Sequence, residues 1–346
     1  MGEAERIGVA VQGAGNVATE HLKAYLRNPH CRVVAIGGRT REGAAAKARQ
    51  VGLDPGQIGL YDDYAALLAH PGLDALSICT PHARHAREAI AAANAGKHIL
   101  IEKPVALDRD DLRAMDAAVA AAGVRTVVSF VLRWNPLVTT AKALLDDGAF
   151  GRPLYVQTDY WHNAEQGGYP GAKGRLGKGA VSAMVSGGCH AMDLARYLMG
   201  SDIVEVTALE FTALENPAAP VNQTALVRFA NGMAGKVSAC TEQWMPYQFN
   251  VDVLGTAGAL RDDRFYSRKL PGTLGWASFP TVLPNSGSVS HHPFPAEIDH
   301  FVECIRAGVE SHASLRDAVN THEACFATDE SSRAGGKPVA LPLAVE

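Results

Sequence analysis

Short continuous apolar runs and helically spaced apolar positions alternate over the first 130 residues of the chain. Ile7–Val11, Arg32–Ile36, Ala75–Cys79, His98–Ile101 and Arg125–Phe130 read as strands, and their lack of in–out alternation predicts burial on both faces. Val17–Arg27, Arg41–Val51, Tyr64–Ala69, Ala83–Ala95 and Asp108–Ala121 read as helices between them, the alternation that builds a parallel sheet under helical layers. One more helix is predicted over Pro136–Asp147, capped by Asn135 with Pro136 in its first turn. The pattern then changes. Leu154–Trp161, Ile203–Leu214, Thr224–Phe229, Met233–Cys240 and Phe249–Leu254 read as strands, with Asn231-Gly232 as a hairpin turn. One helix, His190–Met199, interrupts them, and helices return at Pro295–Ala307 and Leu315–Arg333. The pattern predicts an α/β protein: a doubly wound parallel-sheet domain over 1–130, then an α/β domain over 131–346 with an open, mainly antiparallel sheet.

A length of 346 residues suits two domains, and 47% apolar residues suffice for their cores. With 32 Lys and Arg against 36 Asp and Glu, no basic stripe points to nucleic acid. No apolar run approaches the ~20 residues that cross a bilayer. The opening MGEAERIGVAV lacks an apolar signal core, which predicts a cytoplasmic location. Six scattered cysteines without CxxC spacing predict reduced thiols and no metal centre.

The first candidate chemistry is Gly13-Ala14-Gly15-Asn16-Val17-Ala18, directly behind a good strand. A strand that breaks on two glycines and restarts as a helix aims unpaired backbone N–H groups at one point, which suits a pyrophosphate. Gly13, Gly15, Asn16 and Val17 are therefore candidate dinucleotide ligands. About 20 residues on, a carboxylate usually binds the adenosine ribose. Here that place reads Gly37-Gly38-Arg39-Thr40-Arg41. Gly38, Arg39 and Thr40 would admit and pair a 2′-phosphate, which favours NADP over NAD. The strand ends at Thr80-Pro81-His82 and Glu102-Lys103-Pro104 should border the same ligand, because open parallel sheets bind at the carboxyl ends of their strands. His85, one turn into its helix, reads either as a neighbour of the nicotinamide or as a solvent-facing histidine.

The segments GAGNVA, ICTP, AGKHILIEKP, GGCHAMDLARYLMG, AEIDHFVECIRAG and GGKPV span nearly the whole chain. Together they resemble the glucose–fructose oxidoreductase / inositol dehydrogenase (Gfo/Idh/MocA) family. The resemblance implies a Rossmann dinucleotide-binding domain followed by a substrate-binding and oligomerisation domain. It also implies an NAD(P)-dependent oxidoreductase acting on a carbinol carbon of a sugar or cyclitol, assembled as a homodimer or homotetramer. Lys103 matches the lysine that contacts the reacting hydroxyl, and His190 matches the active-site histidine. Many relatives carry an aspartate four residues before that histidine, where this chain has Ser186. A serine is no general base near neutral pH, yet it hydrogen-bonds a hydroxyl. Asp193 is read as structural, capping its helix or bracing Arg196 or Lys103. Arg133 matches a family arginine that braces the site. Tyr160, Trp161 and His162 end the first strand of the second domain, where an aromatic face could stack on a sugar ring; Trp161 and His162 join Lys103, Arg133, Ser186 and His190 as candidate substrate contacts.

Three other readings are weighed against the sugar dehydrogenase. One is a lyase or hydrolase that retains its cofactor and oxidises a sugar carbon transiently; another is a regulatory protein that binds the dinucleotide as a ligand; the third is an oxidoreductase of non-sugar substrates such as amino acid or imine precursors. Two loops, the glycine-rich Asn163–Gly179 and Pro271–Pro295, are candidate covers for a site or ordinary surface loops.

Overall fold

Val9, Ala10, Val11, Leu76, Ile78 and Leu100 have no solvent exposure, as continuous apolar strands require when both sheet faces are covered. They belong to the first of two units in a computed structural model that describes residues 6–163, 181–272, 274–285 and 288–344. Its strands are β1 (Ile7–Gln12), β2 (Cys31–Gly37), β3 (Gly59–Tyr61), β4 (Ala75–Ile78), β5 (His98–Ile101) and β6 (Thr126–Val128). They pair in parallel in the order β3-β2-β1-β4-β5-β6. The helices between them are α1 (Asn16–Arg27), α2 (Arg41–Gln50), α3 (Tyr64–Leu68), α4 (His85–Asn94) and α5 (Arg109–Ala122). The strand order reverses between β1 and β4, so the crevice of this sheet opens beyond their carboxyl ends.

The second unit begins at Leu132. Asn135 caps α6 (Pro136–Asp146), its side-chain oxygen accepting from the Leu137 amide at 2.9 Å. Then come β7 (Pro153–Trp161), a single π-turn (Met184–Gly188) and α7 (Cys189–Met199). The remaining strands are β8 (Ile203–Glu210), β9 (Asn222–Phe229), β10 (Ala234–Cys240), β11 (Gln248–Gly255), β12 (Gly258–Arg261), β13 (Arg264–Ser267), β14 (Ala277–Ser278) and β15 (Val339–Ala340). They form one sheet in the order β14-β13-β12-β11-β7-β10-β9-β8-β15. The expected antiparallel sheet has one parallel pair, β7 with β10, because β7 inserts at the sheet centre between β10 and β11. The predicted strand over Ile203–Leu214 stops at Glu210. One face of this sheet carries Val156, Ala225, Val227, Val237, Ala239, Val251 and Val253, all buried. The Thr158 hydroxyl on that face donates to the carbonyl of Ala191 at 2.9 Å and ties α7 to it. The other face carries Gln157, Asp159, Trp161, Lys236 and Leu226 in register.

After α8 (Phe294–Ala307) the chain continues into α9 (Leu315–Arg333). The segment Pro293–Val319 belongs to the first unit, where the sequence pattern puts all of 131–346 in the second domain. The reason is packing: α8 lies on α1, with Ile298, Phe301 and Val302 buried, and Asn28 donates to Asp299 at 2.6 Å. The Leu315 amide also donates to the Thr126 hydroxyl at 2.9 Å. From Ala164 to Gly179 the glycine-rich loop lies outside the described residues.

Candidate active site

Gly13 holds φ at +116°, and a Cβ on it would sit 2.5 Å from the carbonyl oxygen of Cys79. Only glycine lets the end of β1 pass the end of β4 this closely. Gly15 is the N-cap of α1 and its side opens the other way: a Cβ there would meet nothing within 4 Å. No side chain caps this helix, and Ala14, Gly15 and Asn16 are exposed. Orphan donors of a first helical turn with open space before them form an anion site. The sequence-predicted Gly13, Gly15, Asn16 and Val17 all lie at this turn.

At the end of β2 the Gly38 amide donates to Tyr61 O at 2.9 Å, and Arg39 is exposed. Thr40 spends its hydroxyl capping α2, accepting from the Gly43 amide at 3.1 Å, and Arg41 reaches Asp62 at 3.3 Å. The end of β4 is organised by Glu88, which sequence reading passed over. Its buried carboxylate accepts from Thr80 at 2.6 Å, from Arg84 Nη2 at 2.6 Å and from Gln12 at 3.3 Å. His85 is fully buried, which excludes the solvent-facing reading. Its Nδ1 lies 2.8 Å from Pro104 O and its Nε2 lies 2.8 Å from Thr80 O, so the ring ties the loop after β4 to the loop after β5. His82 sets its ring edge against His85, 5.6 Å between centroids, and Pro81 is exposed beside it.

Glu102 directly follows β5, with Oε1 accepting from His21 Nε2 at 3.1 Å and from Ser129 Oγ at 3.0 Å. Burial pushes its pKa up, but the hydrogen bond and charge of His21, then Lys103 and Ser129, outweigh that and hold it below the ordinary glutamate value. Lys103, half-buried, follows on the sheet edge that carries the Gly13–Gly15 turn.

In the second unit His190 is the second residue of α7 and only 5% exposed. Gly187 and Gly188 precede it where Cβ atoms would lie 2.2 Å from the Tyr160 ring and 2.6 Å from Ala239 Cβ. The glycine pair therefore seats the start of α7 directly on β7 and β10. Ser186, half-buried in the π-turn, sits four residues before His190. On the same sheet face Tyr160 Oη lies 3.0 Å from His162 Nδ1, and the Tyr247 ring packs edge-on against both. Trp161 points to the opposite face, where its Nε1 donates to Ser238 at 3.0 Å. Alternation along β7 thus brings Tyr160 and His162 to the α7 side and takes Trp161 away from it. Arg133 and Asp193 form a buried two-pronged pair, Nε–Oδ2 at 2.8 Å and Nη2–Oδ1 at 2.5 Å, with the guanidinium over the Tyr197 ring at 4.8 Å. Asp193 braces Arg133, and Thr321 links it to Arg196, at 3.3 and 3.1 Å.

A glycine turn leading into an uncapped helix at the switch point of a parallel sheet is the arrangement of a dinucleotide-binding domain. The pattern described as "Oxidoreductase family, NAD-binding Rossmann fold" matches residues 7–130, and that of the GFO/IDH/MocA C-terminal domain matches 138–261. The chain belongs to the GFO/IDH/MocA oxidoreductase family. It is 28% identical over 340 residues to a scyllo-inositol 2-dehydrogenase (NAD(+)) of Bacillus subtilis, covering 96% of each chain. It is 30% identical over 271 residues to a levoglucosan dehydrogenase of Pseudarthrobacter phenanthrenivorans, covering 68% of this chain and 67% of that one. Its fold is similar to a solved levoglucosan dehydrogenase in complex with NADH, with a TM-score of 0.86 at 25% identity, over 98% of this chain and 100% of that one.

Because Arg133 and Asp193 are both buried, removing one leaves the other's charge without compensation. Asp193→Ala is expected to lower unfolding free energy by about 3–5 kcal/mol, measured by urea titration. The double variant Arg133→Met, Asp193→Leu should recover much of that loss.

Proposed function

We propose that this protein oxidises a carbinol carbon of a sugar, sugar derivative or cyclitol, or reduces the corresponding carbonyl, with a nicotinamide dinucleotide as hydride partner. One placement carries the reading: Lys103 closes β5 on the edge where Gly13, Gly15 and the uncapped start of α1 form an anion cradle. Family membership and the names of the relatives, which act on inositol and levoglucosan, support the substrate class. A dinucleotide bound along this edge supplies the hydride acceptor or donor. Lys103 holds the reacting oxygen and takes or returns its proton, and His190 hydrogen-bonds that oxygen. Ser186 hydrogen-bonds a neighbouring hydroxyl, and His162 orients the substrate. Arg133 acts through Asp193, which it locks one turn beyond His190.

The cofactor assignment goes further, to NADP over NAD. Its support is the exposed Arg39 and the absence of a carboxylate from Gly37 to Arg41. The scattered cysteines, without CxxC spacing, support a cytoplasmic location; among the described residues no helix is long and apolar enough to cross a membrane. A second copy of the chain is assigned to the sheet face that carries Leu209, Leu226 and Leu254, which are 60, 60 and 46% exposed on β8, β9 and β11.

Lys103→Ala and His190→Ala should each lower kcat by about 10²–10⁴-fold on the best substrate of a polyol and sugar panel, followed by absorbance of the reduced cofactor. Cofactor affinity should stay nearly constant. A fully active Lys103→Ala enzyme removes the assignment. Cofactor retained through purification, with no net redox change on any substrate, points to the lyase reading instead.

Titrating both dinucleotides should show tighter binding of NADP, and Arg39→Ala should abolish the difference. Tighter binding of NAD by the unaltered chain overturns the assignment. Sedimentation should find a dimer or tetramer that Leu226→Arg converts to smaller species.

A further inference from the structure

Beneath the end of β5 a continuous hydrogen-bond chain runs through the first unit. Tyr25 Oη lies 2.8 Å from Ser77 Oγ, which lies 3.0 Å from His21 Nδ1. His21 Nε2 reaches Glu102 Oε1 at 3.1 Å, and Ser129 Oγ lies 3.0 Å from the same oxygen and 3.1 Å from Glu297 Oε2. The last two contacts set a proton count. A serine hydroxyl carries one proton, and an ionised carboxylate only accepts. Ser129 therefore donates to one carboxyl group, and its contact with the other needs a proton on that group.

The surroundings decide which. Glu102 has a second donor in His21 and the positive field of Lys103. Glu297 is fully buried on α8, and its Oε1 has no hydrogen-bond partner among the described residues. Ionised, it would leave a charged oxygen desolvated and unmatched; protonated, the unmatched atom is a carbonyl oxygen, which costs far less to bury. The proton therefore sits on Glu297 Oε2, which donates to Ser129, and Ser129 donates to Glu102. Burial, then the charge of Glu102, pushes the Glu297 carboxyl well above the ordinary range, while Glu102 moves the other way. Two carboxyls driven apart by their settings hold distinct roles.

We propose that Glu297 is a positioning residue for the reaction: it stays a neutral acid at pH 7 and, through the Ser129 hydroxyl, locks the Glu102 carboxylate and the strand end that carries Lys103. Neutral Glu297 also leaves a single carboxylate charge beside the lysine. The titratable groups that act on it are Glu102 after β5, Tyr25 on α1 and Cys79 after β4, while His21 and Lys103 act on Glu102. Burial keeps Tyr25 and Cys79 neutral, so neither competes for the proton.

The stability arm of the test compares the whole protein with Glu297→Gln. The unfolded chain releases this proton near pH 4.3, and the folded chain keeps it. Folding stability of the unaltered protein should therefore fall relative to Glu297→Gln as pH rises from about 5 to 7, by up to about tenfold in the folding constant per pH unit. Infrared difference spectra of the pair should show loss of one protonated carboxyl band. Parallel stability curves, or no such band, mean an ionised Glu297 and overturn the proposal.

The turnover arm rests on the role proposed for Lys103. Glu297→Leu should lower kcat about tenfold with cofactor affinity unchanged, as expected when a reacting group is misplaced. Glu297→Gln, whose amide donates to Ser129, should recover most of it. Full kcat in Glu297→Leu, or a glutamine variant as impaired as the leucine variant, overturns the positioning role. The stability arm does not depend on Lys103, so failure of that assignment is told apart from failure of this one.

Discussion

The uncapped N-terminus of α1 is the constraint on which the first unit depends. A helix start with orphan amides is unfavourable when buried and commonplace when a side chain caps it. Here neither holds: Gly15 offers no cap and faces open space, while Gly13 presses against the Cys79 carbonyl. The protein leaves these donors open to water or to an anion from outside. The parallel strands then determine what else that ligand meets, because every one of them ends on the same edge.

Strand ends alone do not fix loops, and buried polar side chains do that here. Glu88 gathers Thr80, Arg84 and Gln12, His85 joins the backbone after β4 to the backbone after β5, and Glu102 joins His21 to Ser129. Each link crosses between segments distant in sequence. Their individual worth is modest, about 1 kcal/mol for a neutral hydrogen bond and more when one partner is charged. Their effect is directional: the loops that meet the ligand have one arrangement in which the buried groups are satisfied. The same logic commits the Thr80 hydroxyl proton to Glu88, which leaves that oxygen only as an acceptor.

Much of this was legible from local pattern. The β1–α1 unit, the helix cap at Asn135 and the change from helix-separated to consecutive strands all arise from short-range physics. What stayed hidden has a common cause. The strands β3 and β12 to β15 are two to four residues long, too short for any period to show. The parallel β7–β10 pair and the return of α8 to the first unit depend on partners far along the chain. Glu297 reads in sequence as an ordinary helix-surface glutamate, and its burial comes from packing against α1. His85 lay on a helix whose inward face could not be chosen without the sheet. Trp161 differs: Val156, Thr158 and Tyr160 already share one parity along β7, so the side opposite them was available from alternation alone.

The second unit narrows the chemistry by what it lacks. Between Ser182 and Met199 the only carboxylate is Asp193, and both of its oxygens are taken by Arg133 in a buried pair. The pair commits this carboxylate to holding Arg133 in place. Ser186, four residues before His190, carries a hydroxyl, which is a poor base near neutral pH. From Ser182 to Met199 the side chains not already committed to Arg133 therefore offer an imidazole and a hydroxyl. In the proposed reaction Lys103 takes the proton, so Ser186 would govern which hydroxyl is presented rather than how its proton leaves.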